Sequence, residues 1–163
     1  MAIELRQIER ADLPQAAAVW NEVVAAGDSF PGDQILSEAE AWELFAGQTE
    51  TICAMKGDEL VGVYILHPNN IGRCAHIANA SYAVKAGARG QGVGRLLVEN
   101  CIVRAKKAGF RGLQFNAVVA SNTAAIALYL KLGFKVLGTV TGGYRDKSGH
   151  YRDTLIFLKM LVD

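Results

Sequence analysis

Apolar residues alternate with polar ones at the start of the chain, where Ile3, Leu5 and Ile8 predict a first strand. Asp12 is placed to cap a helix reaching about Ala26. Pro14 lies in its first turn, and its apolar stripe is Leu13, Ala16, Ala17, Trp20, Val23 and Val24. Gly27–Leu36 reads as a loop with a Pro31-Gly32 turn, and Ser37 with Glu40 forms a capping box for a second helix ending near Gly47. Thr51–Met55 and Leu60–Leu66 flank Lys56-Gly57-Asp58 as a hairpin, and His76–Val84 is a further strand. A helix runs from about Gly92 to Ala108, with Val93, Leu96, Leu97, Cys101 and Ala105 along one face and Gly109 to end it. Leu113–Val119 predicts a strand, Asn122–Leu132 a helix stopped by Gly133, and Phe134–Val140 and Leu155–Leu161 two strands joined by the polar segment Thr141–Asp153. The order β-α-α-β-β-β-α-β-α-β-β predicts one α/β domain over residues 1–163, a mixed sheet with helices on both faces.

Composition narrows the function classes. Seventeen Lys and Arg against sixteen Asp and Glu leave a net charge of +1, so no global field draws the chain to nucleic acid or to an anionic membrane. No apolar run approaches the roughly 18 residues of a membrane span, and the N-terminus lacks the apolar core of a signal peptide, so cytoplasmic residence is the expectation. Cys53, Cys74 and Cys101 are odd in number and far apart, which argues against a disulfide framework. His67, His76 and His150 form no metal-binding spacing, and no metal is expected.

The chemistry begins where glycine crowds, between Gly87 and Gly94. Val84-Lys-Ala-Gly-Ala-Arg89-Gly90-Gln91-Gly92-Val93-Gly94-Arg95 runs from a strand end into a helix. A helix N-terminus carries unpaired N–H groups and about half a positive charge, a ready site for phosphate. Glycine lets an anion approach the backbone, and Arg89 adds a fork of donors. The dinucleotide fingerprint GxGxxG fails at Leu97 and again at Arg95, and no GK[ST] exists for a P-loop. The Arg89-x-x-Gly92-x-Gly94 pattern instead resembles the phosphate-binding motif of the GCN5-related N-acetyltransferases, which cradles the pyrophosphate of coenzyme A.

A second segment agrees. Asn122-Thr-Ala-Ala-Ile-Ala-Leu-Tyr129-Leu-Lys-Leu-Gly133-Phe134 is similar to that family's N-x-x-A-x-x-L-Y-x-K-x-G-F pattern. Taken alone, Asn122 is also a helix cap and Tyr129 a core aromatic. Seven residues separate them, two turns on one side of a helix. The resemblance implies a mostly antiparallel sheet with a splayed strand pair, acetyl-CoA as co-substrate, and a homodimer. It implies that Val84, Arg89, Gly90, Gln91, Gly92, Val93, Gly94, Arg95, Asn122 and Tyr129 bind the coenzyme. Tyr129 is then the acid that protonates the departing thiolate, and pantetheine inserts beside Val84 like an added strand.

The acceptor side is less explicit. Neither Ile77–Ala83 nor Leu113–Val119 contains an acid, so no carboxylate base is expected on those strands, and a water chain held by Asn79, Ser81 or Asn116 takes its place. Cys74 and Cys101 lack an activating environment and read as inert thiols. Asn79 and Asn116 fall on the two strands expected to splay, and Phe30 and Tyr144 lie on segments expected to roof the acceptor. Ile77–Tyr82, Phe115–Val118 and Val140–Arg145 are similar to a fungal branch acting on proline-like cyclic imino acids, in which two such Asn residues hold the substrate. The expected function is acetyl transfer to a small amine, an amino acid or its analogue. A protein or peptide acetyltransferase and a non-catalytic acyl-CoA-binding module are the alternatives.

Overall fold

A computed structural model describes residues 2–163. The elements follow the expected order: β1 Ile3–Gln7, α1 Leu13–Ala26, α2 Glu38–Ala46, β2 Glu50–Lys56, β3 Glu59–Pro68, β4 Ile77–Val84, α3 Val93–Lys107, β5 Gly112–Val119, α4 Thr123–Lys131, β6 Lys135–Arg145 and β7 Tyr151–Met160. The strands form one sheet in the order β1-β2-β3-β4-β5-β7-β6. Every pairing is antiparallel except β4 with β5, which run parallel.

Two cores lie on opposite faces of the sheet. On one, α1 and α2 bring Leu13, Trp20, Val23 and Phe45 onto Cys53, Val63, Ile65 and Ala83. On the other, α3 brings Val93, Leu97, Val98 and Cys101 onto Ile52, Tyr64, Ala80 and Phe115, and Ile126, Leu128 and Tyr129 of α4 join them. Burying side chains of this size stabilises by about 1.5–3 kcal/mol each, so these faces fix the helices on the sheet. Among the described residues, no helix is long and apolar enough to cross a membrane.

Three expectations are corrected. Asp12 does not cap α1 with its side chain; its carboxylate accepts two bonds from Arg6, at 2.7 and 2.9 Å, and one from the Glu9 N–H at 2.7 Å. A bidentate guanidinium pair is stronger than a neutral cap bond, and it takes the carboxylate. On α3, Leu96 faces outward and Val98 takes the buried position. Most of the polar segment Thr141–Asp153 is strand, because β6 and β7 pair as far as Arg145 and Tyr151. As an edge strand, β6 has no core on which to bury an alternating pattern, so its polar stretch carries no mark of strand.

Candidate active site

The sheet opens between β4 and β5. They pair only at Ile77 with Gly112 and at Ala78 with Leu113, then diverge. The ladder with β3 shows where the freed peptide groups point. The Lys85 N–H donates to the Val61 carbonyl at 2.9 Å, and Gly62 stands opposite Val84. In an antiparallel ladder hydrogen-bonded and non-hydrogen-bonded pairs alternate, so Gly62–Val84 and Tyr64–Tyr82 are non-bonded pairs. The N–H and C=O of Tyr82 and Val84 therefore point into the opening. One step earlier, the Ala80 N–H is taken by the Asn79 side-chain oxygen at 2.7 Å.

β5 bends away at a bulge. It loses register with β7 between Phe115 and Val118, one extra residue that lets Asn116 and Ala117 leave the ladder. The opening holds a cavity of about 610 Å³ that passes through the sheet. Val23, Asp28 and Phe30 line it from the α1 face; Tyr82, Phe115, Leu128 and Tyr129 line it from the α3 and α4 face.

At the C-terminal end of β4 the chain makes one short turn at Ala86–Ala88 and enters α3 through Gly92, whose φ of +81° only glycine adopts without strain. The first intrahelical bond runs from Leu96 N–H to the Gly92 carbonyl at 3.1 Å. Among the described residues, no acceptor takes the N–H groups of residues 90–95. Arg89, Gly90, Gly92, Val93 and Gly94 line the cavity. Two expected neighbours do not: Gln91 reaches back to the Gly87 carbonyl at 3.5 Å, and the Arg95 guanidinium pairs with Glu99 at 2.6 Å, four residues along an exposed helix face. The cradle thus offers free donors, a positive helix end and no Cβ at three positions, and it fits a diphosphate.

Tyr129 stands across the cavity from β4. Asn122 caps α4, its side-chain oxygen accepting from Ala125 N–H at 3.4 Å, and this sets the helix that carries Tyr129 two turns on. The Tyr129 ring packs on Phe115 and Phe157 at 4.6 and 5.5 Å between centroids. No described residue bonds its hydroxyl, which belongs to the cavity wall. Burial, with a smaller push from Cys101, raises this phenol well above its ordinary range, so it keeps its proton. Tyr82 was missed in the sequence reading. Its hydroxyl is buried without an oxygen or nitrogen partner, against the Cys101 thiol. Alternation along Ala78, Ala80, Tyr82 and Val84 was the available signal. Burial pushes Cys101 up to about 12, which keeps it a thiol.

On the α1 face, Asn79 and Ser81 share the parity of Ala83, and Asn116 shares that of Gln114, opposite the buried Leu113 and Phe115. All three line the cavity. Asn116 donates to the Asn69 side-chain oxygen at 2.7 Å and accepts from Gln114 at 3.1 Å. Phe30 lines the cavity as expected, but Tyr144 does not. It is buried, and its hydroxyl donates to the Phe30 carbonyl at 2.8 Å, so it anchors the loop that forms the wall. A second tie runs from Lys147 N–H to the Gly27 carbonyl at 3.0 Å. Among the described residues, no group of His, Cys, Asp and Glu could hold a metal.

Comparisons with known proteins agree with this geometry. Residues 6–134 match the model of the Acetyltransferase (GNAT) family. The chain is 30% identical to N-acetyltransferase aca1 of Schizosaccharomyces pombe, over 84% of this chain and 74% of that protein. It is 26% identical to phosphinothricin N-acetyltransferase of Alcaligenes faecalis, over 98% and 83% of the two chains, and 27% identical to peptidyl-lysine N-acetyltransferase YjaB of Salmonella typhimurium, over 85% and 87%. A GCN5-related N-acetyltransferase structure from Kribbella flavida superposes with a TM-score of 0.91 at 36% identity, covering 98% of both chains. The cradle, the opened strand pair and these likenesses converge: the chain belongs to the acetyltransferase (GNAT) family and is an acetyl-CoA-dependent N-acetyltransferase.

Proposed function

We propose that this protein acetylates the amine of a small amino-acid-like molecule, with direct transfer across the opened sheet. The observation that carries the proposal is the cavity's two-sidedness. A free-donor cradle and a phenol lie toward α3 and α4, and a set of neutral amides and a hydroxyl lies toward α1. The donor and acceptor can enter from opposite faces and meet between β4 and β5, without an acyl-enzyme.

Acetyl-CoA supplies an activated thioester. The N–H groups of residues 90–95, with Arg89, receive its diphosphate, and the free C=O and N–H of Tyr82 and the Val84 C=O hold the pantetheine arm as a neighbouring strand would. The Val84 N–H is the donor for the oxygen on which negative charge develops as the amine adds. Tyr129, protonated throughout the neutral range, delivers its proton to the departing sulfur. Asn79 spends its oxygen on Ala80 N–H, which leaves its NH₂ to face the acceptor. Together with Asn116 it can hold a carboxylate, as an amino acid or a proline-like cyclic imino acid presents. With no acid on β4 or β5, water beside Asn79 and Ser81 carries the proton from the incoming amine.

The test is release of free thiol from acetyl-CoA across a panel of L-amino acids, proline analogues, phosphinothricin, polyamines and a lysine-containing peptide. The proposal expects turnover with small amino-acid-like amines. Turnover with the peptide alone contradicts the substrate class; coenzyme A binding without thiol release from any amine contradicts transfer to these acceptors.

A further inference from the structure

The polar groups so far assigned to the acceptor, Asn79, Ser81 and Asn116, are neutral. An amine near neutral pH arrives as an ammonium, since amino groups titrate at about 8–10. A cation entering a partly dehydrated cleft needs a counter-charge.

The cavity lining contains one carboxylate, Asp28, and one guanidinium, Arg89. Arg89 lies between β4 and α3, beside the N–H groups that face a diphosphate. Asp28 follows α1, which packs on the sheet face whose parity Asn79 and Ser81 share.

Asp28 is also free. Among the described residues it makes no hydrogen bond and no ion pair and is open to solvent, whereas Glu22 and Asp146 on neighbouring segments are engaged. Glu22 accepts from Ala86 N–H at 2.6 Å, and Asp146 accepts from Arg152 at 3.0 Å and from the N–H groups of Ser148 and His150. Its backbone is held on both sides: Gly27 by Lys147 N–H at 3.0 Å, and Phe30 by the Tyr144 hydroxyl at 2.8 Å with its ring 4.7 Å from that of Trp20. The Tyr144 phenol is pushed upward, mainly by burial and then by Asp28, so the carboxylate lies within electrostatic reach of that anchor. Asp28 is thus an exposed, unpaired carboxylate on a backbone anchored at Gly27 and Phe30, and it is the one acid on the cavity wall.

We infer that Asp28 is the counter-charge for the acceptor's ammonium, and that with the Asn79 and Asn116 amides it selects small zwitterions carrying an amine and an acidic group. The inference rests on the acceptor reading proposed above and assigns the charged residue which that reading lacks.

The test compares wild type with Asp28→Asn and Asp28→Glu. Phosphinothricin, L-proline and an Nα-acetyl-lysine peptide serve as amines, at saturating acetyl-CoA. Calorimetric titration of each amine into the coenzyme A-bound protein supplies a readout independent of turnover. Loss of a charge-assisted bond is expected to raise the amine KM and Kd by about tenfold or more in D28N, with acetyl-CoA KM unchanged and D28E close to wild type. Wild-type amine KM should rise with ionic strength, and that rise should vanish in D28N, which a merely structural role would not produce. Amine KM, Kd and salt dependence in D28N equal to wild type overturn the inference. So does a wild type that binds none of the three amines. Failure of the underlying reading is distinct: wild type then binds these amines yet releases no thiol with them.

Discussion

Replacing Gly94 by Ala separates the ligand role of the cradle from its structural role. Gly94 is the second residue of α3 and has ordinary helical backbone, so alanine fits without strain. An added Cβ would meet only Val84 Cγ2, at 3.9 Å, an ordinary contact. Alanine in place of glycine stabilises a helix by up to about 1 kcal/mol, and by about half of that in a first turn. For a chain of this size the shift in Tm is about +1 to +2 °C. The same methyl stands on the cavity wall, where the free N–H groups would meet a diphosphate. Displacing one charge-assisted hydrogen bond costs about 1.5–3 kcal/mol, or about 10- to 150-fold in affinity. Thermal melts with and without coenzyme A, and calorimetric titration of coenzyme A, read both effects on one protein. The expected result is a variant at least as stable as wild type that binds coenzyme A at least about tenfold more weakly. Wild-type affinity in a folded G94A would refute the cradle; lost stability would refute the packing argument.

Three further outcomes follow from the same geometry. Tyr129→Phe keeps the ring contacts and removes the proton donor, so kcat should fall by about 10²-fold or more with coenzyme A affinity unchanged. Because that phenol is raised above its ordinary range, the loss should be uniform across neutral pH; equal kcat in both proteins would exclude it as the acid. Asp12→Ala breaks a bidentate pair with Arg6 and should cost about 2–4 kcal/mol in denaturant unfolding at neutral pH. The Arg6 bonds hold the Asp12 carboxyl below its unfolded value of about 4. That stabilisation is present above the unfolded value and is lost as pH falls through the folded one, so variant and wild type should converge in acid; a constant gap would contradict the linkage. Gly27→Ala places a Cβ 2.6 Å from Lys147 Cβ at a φ of +63°, and should lower Tm and raise amine KM while leaving acetyl-CoA KM alone; a rise in acetyl-CoA KM would contradict the assignment of donor and acceptor to opposite sheet faces.

The element order and the cradle could be read in the sequence because each rests on local chemistry. Ser37 and Glu40 do form their capping box, and the glycine-rich segment does run from the end of β4 into α3. What escaped depends on three-dimensional placement. The Asp12 cap was lost to Arg6, six residues earlier, whose pairing no helix-cap pattern announces. Leu96 and Val98 exchanged places because the α3 stripe is decided by how the helix sits on the sheet, and two adjacent apolar residues leave it open. Strand alternation aims Asn79 and Asn116 at one pocket, but which face they share depends on how the helices sit on the sheet, and alternation alone does not carry that. Tyr144 reads as a roof residue because its segment is a polar connection between strands, yet it serves the cavity wall only by holding Phe30.

The central claim is that the opening between β4 and β5 holds coenzyme A, with its diphosphate on the N–H groups of residues 90–95 and its sulfur beside the Tyr129 hydroxyl. A crystal structure with coenzyme A tests this most directly. The account predicts phosphate oxygens on those N–H groups, pantetheine bonded to the Val84 peptide and the thiol facing Tyr129. A coenzyme seated elsewhere, or a sulfur turned away from that phenol, would contradict it.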